Sequence, residues 1–253
     1  MAEVLWNRLT AAELVALAKK DAIVLLPVAS TEQHGPHLAT GVDTFLAGEG
    51  CRRTALLVQR KRPIVVAPTV WIGLAEHHMA FGGSFTLSLP TYHALLREIC
   101  RSILRAGFRK ILIVNGHGGN MAALGALTTD LAMELGAPIA TTTLYALPTA
   151  AGAYEGILED QKGVQHACEA ETSMMMAAFP DCVRKNKLKA AVGPKSDDAP
   201  FRSAVAVWTS FKELTPSGVF GDGRRATPEK GEKLLDIAAQ LLAQHLLTGK
   251  PWA

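Results

Sequence analysis

Apolar residues in this chain come in two alternating patterns. Short runs at residues 22–28 (AIVLLPV), 63–67 (PIVVA) and 110–114 (KILIV) are apolar almost without interruption, which suits strands covered on both faces. A fourth strand is expected over 139–144. Around them lie longer stretches read as helices: 11–20, 43–59, 91–106, 120–135, 169–178 and 228–247. Thr10 is placed to cap the first of these, with Glu13 in the third position of a capping box. Gly107 is placed to end the 91–106 helix in a left-handed turn. Residues 70–89 carry Gly73, Gly82 and Gly83 among polar side chains, and read as a long loop returning through a short strand at 85–89. The glycine-rich stretch 148–164 is expected to be mobile or at an interface, and 204–208 to be a late strand. Helices alternating with strands predict a layered α/β fold with a mostly parallel sheet. No repeat, linker or charge block marks a boundary, so residues 1–253 are expected to form one domain.

The totals then narrow the function. Hydrophobic residues make up 49% of the chain and charged ones 19%, enough for a large core and against disorder. The net charge of +3 is scattered, and the nearest thing to a basic run is Arg184, Lys185, Lys187 and Lys189. That run reads as a solvated face rather than a nucleic-acid footprint. Cys51, Cys100, Cys168 and Cys182 lie far apart with no CxxC pair, as expected of small buried thiols in a reducing compartment. The N-terminus lacks the apolar core of a signal peptide, and no run approaches a membrane span. A cytoplasmic protein without nucleic-acid or membrane partners is the expectation.

The candidate chemistry sits where strands end. The first strand leads into STEQHGPHLATGVD, with Glu32, His34 and Asp43, and the third leads into NGHGGN, with His117. In open α/β sheets, sites form beyond the carboxyl ends of the strands, so these two loops are placed to converge. Glu32 and His34, two apart, project to the same side of an extended segment. Carboxylate with imidazole suits zinc, manganese or iron, and a carboxylate such as Asp43 can serve two ions at once. An Asp before a helix is also a common cap, so no single residue decides the matter. In NGHGGN, Gly118 and Gly119 let the backbone approach a ligand and put amides at a helix start, where an oxyanion is favoured. No Lys-Ser or Lys-Thr follows as in a phosphate-binding loop. HACEAETS adds His166, Glu169 and Glu171. On a helix the two glutamates point in different directions, His166 lies three before Glu169, and one glutamate is expected to be a ligand while His166 shuttles protons. With these residues the chain has donors for two metal ions, and the combination points to hydrolysis by metal-activated water. Glu76, His77 and His78 could contact substrate or simply pack. His37 could support a ligand, and Trp71 and Trp208 read as core or interface residues.

STEQHGPHL followed by Asp43, then NGHGGN, HACEAETS and GVFGDGRRATPEKG, resembles the creatininase (creatinine amidohydrolase) family, with matches in order from about residue 25 to 235. The resemblance implies a three-layer α/β/α sandwich, two divalent metals per subunit and hydrolysis of a non-peptide, cyclic-amide or formamide C–N bond. It implies Glu32, Asp43 and His117 around one ion and His34 with Asp43 around the other. It further implies a homo-oligomer, a hexamer built from dimers, with a small-molecule amide as substrate. Creatininases proper carry a ligand glutamate two residues after the second-loop histidine, where this chain has Gly119. Glu171 is the best replacement and Glu169 the next, which places the chain in the broader family. That family also includes a peptidase trimming a short peptide precursor. A non-catalytic metal-stabilised binder is the alternative from another class.

Overall fold

The fold rests on a four-stranded sheet, seen in a computed structural model that describes residues 2–159, 161–194 and 207–252. Strands β1 (Ile23–Val28), β2 (Ile64–Val66), β3 (Lys110–Asn115) and β4 (Ile139–Thr143) are all parallel, in the order β2-β1-β3-β4. Every residue of β1 is buried, which explains its uninterrupted apolar run. Successive side chains alternate between two cores. Ile23, Leu25, Leu112 and Val114 face one side, while Val24, Leu26, Val28, Ile111 and Ile113 face the other.

The first core is covered by α2 (Val42–Val58), α6 (Glu169–Ala178) and α8 (Pro228–Leu247). The second is covered by α3 (Leu89–Arg105) and α4 (Met121–Leu135), with α1 (Ala11–Lys19) leaning on it through Leu14 and Leu17. This is the expected three-layer α/β/α arrangement. The helix signals are where the sequence put them. Thr10 and Glu13 form the capping box, and Gly107 adopts φ +95° just past α3. Leu234, Leu235 and Leu242 of α8 are buried, each stabilising the fold by roughly 1.5–3 kcal/mol.

One expectation changes and three are narrowed. The return strand at 85–89 does not form a ladder: a single bridge joins Gly73 to Thr86, and Ser88 already caps α3, whose first turn takes in Leu89 and Pro90. Proline favours that turn over a strand because its fixed φ suits a helix start. The stretch 148–164 opens within a short helix, α5 (Ala146–Ala150), and is pinned by buried Tyr154 and Leu158. The strand expected at 204–208 falls mostly outside the described residues, and the two that are described, Val207 and Trp208, are not in a strand. Trp71 and Trp208 are exposed rather than core.

The sheet order creates a switch point between β1 and β3. The chain leaves β1 toward β2 through α2 on one face, and leaves β3 toward β4 through α4 on the other. The two departing connections diverge, so a crevice opens beyond Val28 and Asn115, paired neighbours at the strand ends. Among the described residues no helix is long and apolar enough to cross a membrane.

Candidate metal centre

Five ionisable side chains meet in that crevice, all buried: Glu32 and His34 after β1, Asp43 in the first turn of α2, His117 after β3, and Glu171 in the first turn of α6. Asp43 stands between the two imidazoles. Its Oδ1 is 3.1 Å from His34 Nε2 and its Oδ2 is 3.0 Å from His117 Nδ1. Glu32 Oε2 lies 3.1 Å from the same His117 nitrogen, and Glu171 Oε2 lies 3.7 Å from His34 Nε2. Two donor groups result, Glu32–Asp43–His117 and His34–Asp43–Glu171, and a third joins Glu32 and His34 to His166.

Hydrogen bonds on the outer edge orient both imidazoles. His34 Nδ1 is 3.1 Å from the Glu32 carbonyl oxygen, and His117 Nε2 is 3.1 Å from the Leu74 carbonyl oxygen. A carbonyl can only accept, so each outer nitrogen carries the proton and, in the neutral ring, each inner nitrogen is bare. A bare nitrogen close to carboxylate oxygens is repulsive unless a proton or a cation lies between them. Without a cation the protons stay. Burial would lower the His34 imidazole, but Asp43, with Glu171 and Glu32, outweighs it and lifts it to about 9. Burial likewise opposes, and Glu32 and Asp43 overcome, a rise of His117 well above its usual range. Burial lifts the Glu171 carboxyl to about 8 against the pull of His34. With both rings neutral, Glu32 Oε2, Asp43 Oδ2 and His34 Nε2 are buried without a hydrogen-bond partner. Orphaned acceptors around histidines tied to carbonyls fit a metal-holding site, so the residues present suit the implied ions.

The supports are local. Asn115 donates to the His117 carbonyl at 2.7 Å and accepts from the His117 amide at 3.1 Å. Asn120 donates to the Ala29 carbonyl at 3.3 Å and accepts from the Leu74 amide at 3.0 Å, tying the two loops together. Both asparagines stand in NGHGGN, but only their fold partners reveal the job. Gly118 and Gly119 form a 3-10 turn that runs into α4. At Gly119 a Cβ would lie 2.4 Å from both His117 Nε2 and the Leu74 carbonyl, so a side chain there would break the bond that orients His117. A glutamate at that position, which the family resemblance implies for creatininases proper, has no room here.

The HACEAETS residues separate cleanly. His166 does not lie above Glu169 on one helix face, because α6 starts only at Glu169, and Ala167 at φ +53° turns the chain between them. That left-handed alanine costs of order 1–3 kcal/mol, and its amide donates to Glu171 Oε2 at 2.6 Å. Glu169 points away, accepting from Lys230 Nζ at 2.5 Å and from the Glu159 amide at 3.0 Å. His166 instead packs on His34 and His78, with ring centroids 4.1 and 4.5 Å apart, and its Nδ1 is 3.6 Å from Glu32 Oε1. Burial, then His34 and His78, hold it well below the usual imidazole range.

Of the trio Glu76, His77 and His78, Glu76 is exposed and outside these groups. His77 stacks 5.7 Å from His117, and burial lowers it to about 4, with His78 adding to the effect. His78, given no distinct role by its sequence position, sends Nε2 to 3.1 Å from Glu32 Oε1. His37 bonds Thr172 at 2.8 Å, joining the first loop to α6 beside Glu171. Cys51, Cys100 and Cys168 are buried and unpaired, and burial pushes the Cys168 thiol up to about 12, which leaves it unreactive. Cys182 is only half-buried. The basic run from Arg184 to Lys189 is exposed, as a solvated face should be.

A buried carboxylate–imidazole cluster at the switch point of a parallel sheet marks a hydrolase of the metal-dependent kind. Residues 7–246 match the creatininase family, described as creatinine amidohydrolase, and the chain belongs to that family. It is 33% identical over 215 residues to a mycofactocin precursor peptide peptidase of Mycolicibacterium smegmatis, covering 84% of this chain and 79% of that one. The fold superposes on a crystal structure of creatinine amidohydrolase with a TM-score of 0.83 at 26% identity, covering 99% of each chain. A mutant creatininase of zinc–zinc type gives a TM-score of 0.81 at 25% identity, covering 99% of this chain and 100% of that one. The chain is thus an enzyme, an amidohydrolase of the creatininase type.

Proposed function

We propose that this chain is a binuclear metal-dependent hydrolase that cleaves the C–N bond of a small amide, cyclic amide or formamide. The observation that carries the reading is Asp43, which offers one oxygen to each imidazole at 3.1 and 3.0 Å, as a ligand shared by two ions would. We assign Glu32, Asp43 and His117 to one ion and His34, Asp43 and Glu171 to the other. Carboxylates and imidazoles without thiolate suit zinc, with manganese or iron as alternatives. Bound there, two divalent ions would polarise the substrate carbonyl and lower the pKa of a water toward neutrality.

The protein's own work is proton transfer and placement. His166 is held neutral by burial and by its histidine neighbours, so its Nδ1 accepts a proton beside Glu32 and passes it to the departing nitrogen. His77, Gly118 and Gly119 flank His117 and form the side on which substrate sits. A second reading, removal of residues from a short peptide precursor, is favoured by the 33% identity to a peptide peptidase over most of both chains. We also propose a homo-oligomer, a hexamer, working in the cytoplasm. Exposed Trp71, Phe85 and Leu89 give a neighbouring copy an apolar surface, and three buried unpaired thiols suit a reducing compartment.

Elemental analysis of purified protein, with a panel of amides and short peptides, tests the reading. About two metal equivalents and turnover abolished by chelation are expected. Glu171→Gln should lose one ion and nearly all activity, whereas His166→Gln should keep both and slow turnover about 10²–10⁴-fold. Metal without turnover of any amide or peptide would favour a metal-stabilised binder instead. Loss of metal from His166→Gln but not from Glu171→Gln would reverse the two roles.

A further inference from the structure

One buried carboxamide lies inside the cluster without a part in metal binding or proton transfer. Gln33 sits between Glu32 and His34, and its Oε1 accepts from the Gly35 amide at 2.9 Å. A backbone N–H can only donate, so this bond decides which end of the carboxamide is oxygen. Nε2 then faces His78 Nδ1 at 3.0 Å, His166 Nε2 at 3.0 Å and the Gly218 carbonyl at 3.3 Å. The group is also confined, since a Cβ at Gly218 would stand 2.1 Å from Gln33 Oε1.

Proton counting fixes the rest. His166 Nε2 lies 2.8 Å from the Gln33 main-chain oxygen, and a carbonyl cannot donate, so that nitrogen carries the hydrogen. The two amide protons of Gln33 are left with two acceptors, His78 Nδ1 and the Gly218 carbonyl, and each is satisfied. His78 Nδ1 is therefore bare, and its Nε2–H donates to Glu32 Oε1 at 3.1 Å. In the neutral ring His166 Nδ1 is then the bare nitrogen, and it looks toward the same oxygen from 3.6 Å.

We infer that Gln33 is a positioning residue whose carboxamide and carbonyl give the two imidazoles opposite roles. His78 becomes an N–H donor that holds one oxygen of Glu32, and His166 becomes a proton acceptor at Nδ1. The catalytic meaning of this division rests on the proposed binuclear metal mechanism, but the tautomers do not. With His78 occupying Oε1, Glu32 has Oε2 left for the His117 side, where the two lie 3.1 Å apart. The orientation of a ligand carboxylate is thereby set by a residue that touches neither ion position.

Histidine tautomers are read directly from long-range nitrogen–proton correlations on the full chain carrying nitrogen-15 histidine. The spectrum is recorded metal-free and well above neutrality, with His78 and His166 assigned by single substitution. The expected wild-type pattern is a bare Nδ1 on both rings and a protonated Nε2 on both. Gln33→Glu replaces the amide donor with an acceptor, so the bare-nitrogen signal of His78 Nδ1 should disappear while His166 keeps its tautomer through the main-chain bond. A wild-type His78 with bare Nε2, a wild-type His166 with bare Nε2, or a His78 signal unmoved in Gln33→Glu would each overturn the inference. The wild-type spectrum decides alone if the variant fails to fold. A protein that bound no metal would defeat the binuclear metal reading while leaving this pattern to be measured.

Discussion

Asp43 is the residue on which the two donor groups depend. Because its two oxygens face different imidazoles, Asp43→Ala should release both ions, whereas His117→Ala should weaken mainly one. Metal stoichiometry after gel filtration distinguishes them, and two tightly held ions in Asp43→Ala would remove the shared-ligand assignment. The same cluster gives metal binding a pH dependence with a definite sign. His34 is lifted to about 9 and Glu171 to about 8 in the metal-free protein, so both hold protons at neutrality. A cation must displace those protons and the one on His117, which is also raised, so affinity should rise with pH from neutrality through at least about pH 9. Calorimetry in buffers of different ionisation enthalpy should record proton release on binding near pH 7; the absence of any release would show that these groups are not the ligands.

Among the elements, the first turn of α6 carries most of the weight, because it delivers Glu171 into the site while Glu169 holds the helix in place. Glu169 is fully buried and paired with Lys230 on α8 at 2.5 Å, and Lys230 also reaches Glu159 at 2.6 Å. Lys230→Met would leave the Glu169 carboxylate buried without its cation, a loss of about 3–5 kcal/mol when one partner of a buried pair is removed. Urea denaturation should show that loss, and the double variant Lys230→Met with Glu169→Leu should recover much of it. A Lys230→Met protein as stable as wild type would mean that the pair does not hold α6. The sequence marked this helix and the divergence of its two glutamates correctly. It could not show which glutamate turns inward, since that follows from α8 packing across α6 and from the left-handed turn at Ala167.

At the scale of the whole molecule, exposed aromatics bear on assembly. Trp71 and Phe85 pack edge-on at 5.4 Å while both remain exposed, and Met79 and Leu89 are exposed as well. Paired aromatics left in water are expected to be covered by a second copy. Light scattering at micromolar concentration should report an oligomer, with Trp71→Ser and Phe85→Ser shifting it toward smaller species. A stable monomer for the wild-type chain would sink the hexamer.

Much of the architecture was legible in the chain, and the reason is physical. The sheet is covered on both faces, so residues 22–28 had to be apolar throughout, and helix ends declare themselves through local bonds such as those between Thr10 and Glu13. Glu32, His34, Asp43 and His117 were legible because their loops leave neighbouring strand ends. What only the tertiary structure decided are contacts between segments far apart in sequence. Gln33 meets His78 and His166, Leu74 orients His117 across the mouth of the sheet, and Lys230 draws Glu169 away from the cluster. Local sequence specifies backbone preference and burial, whereas the direction of a buried polar side chain depends on whichever partner the fold places within hydrogen-bond reach.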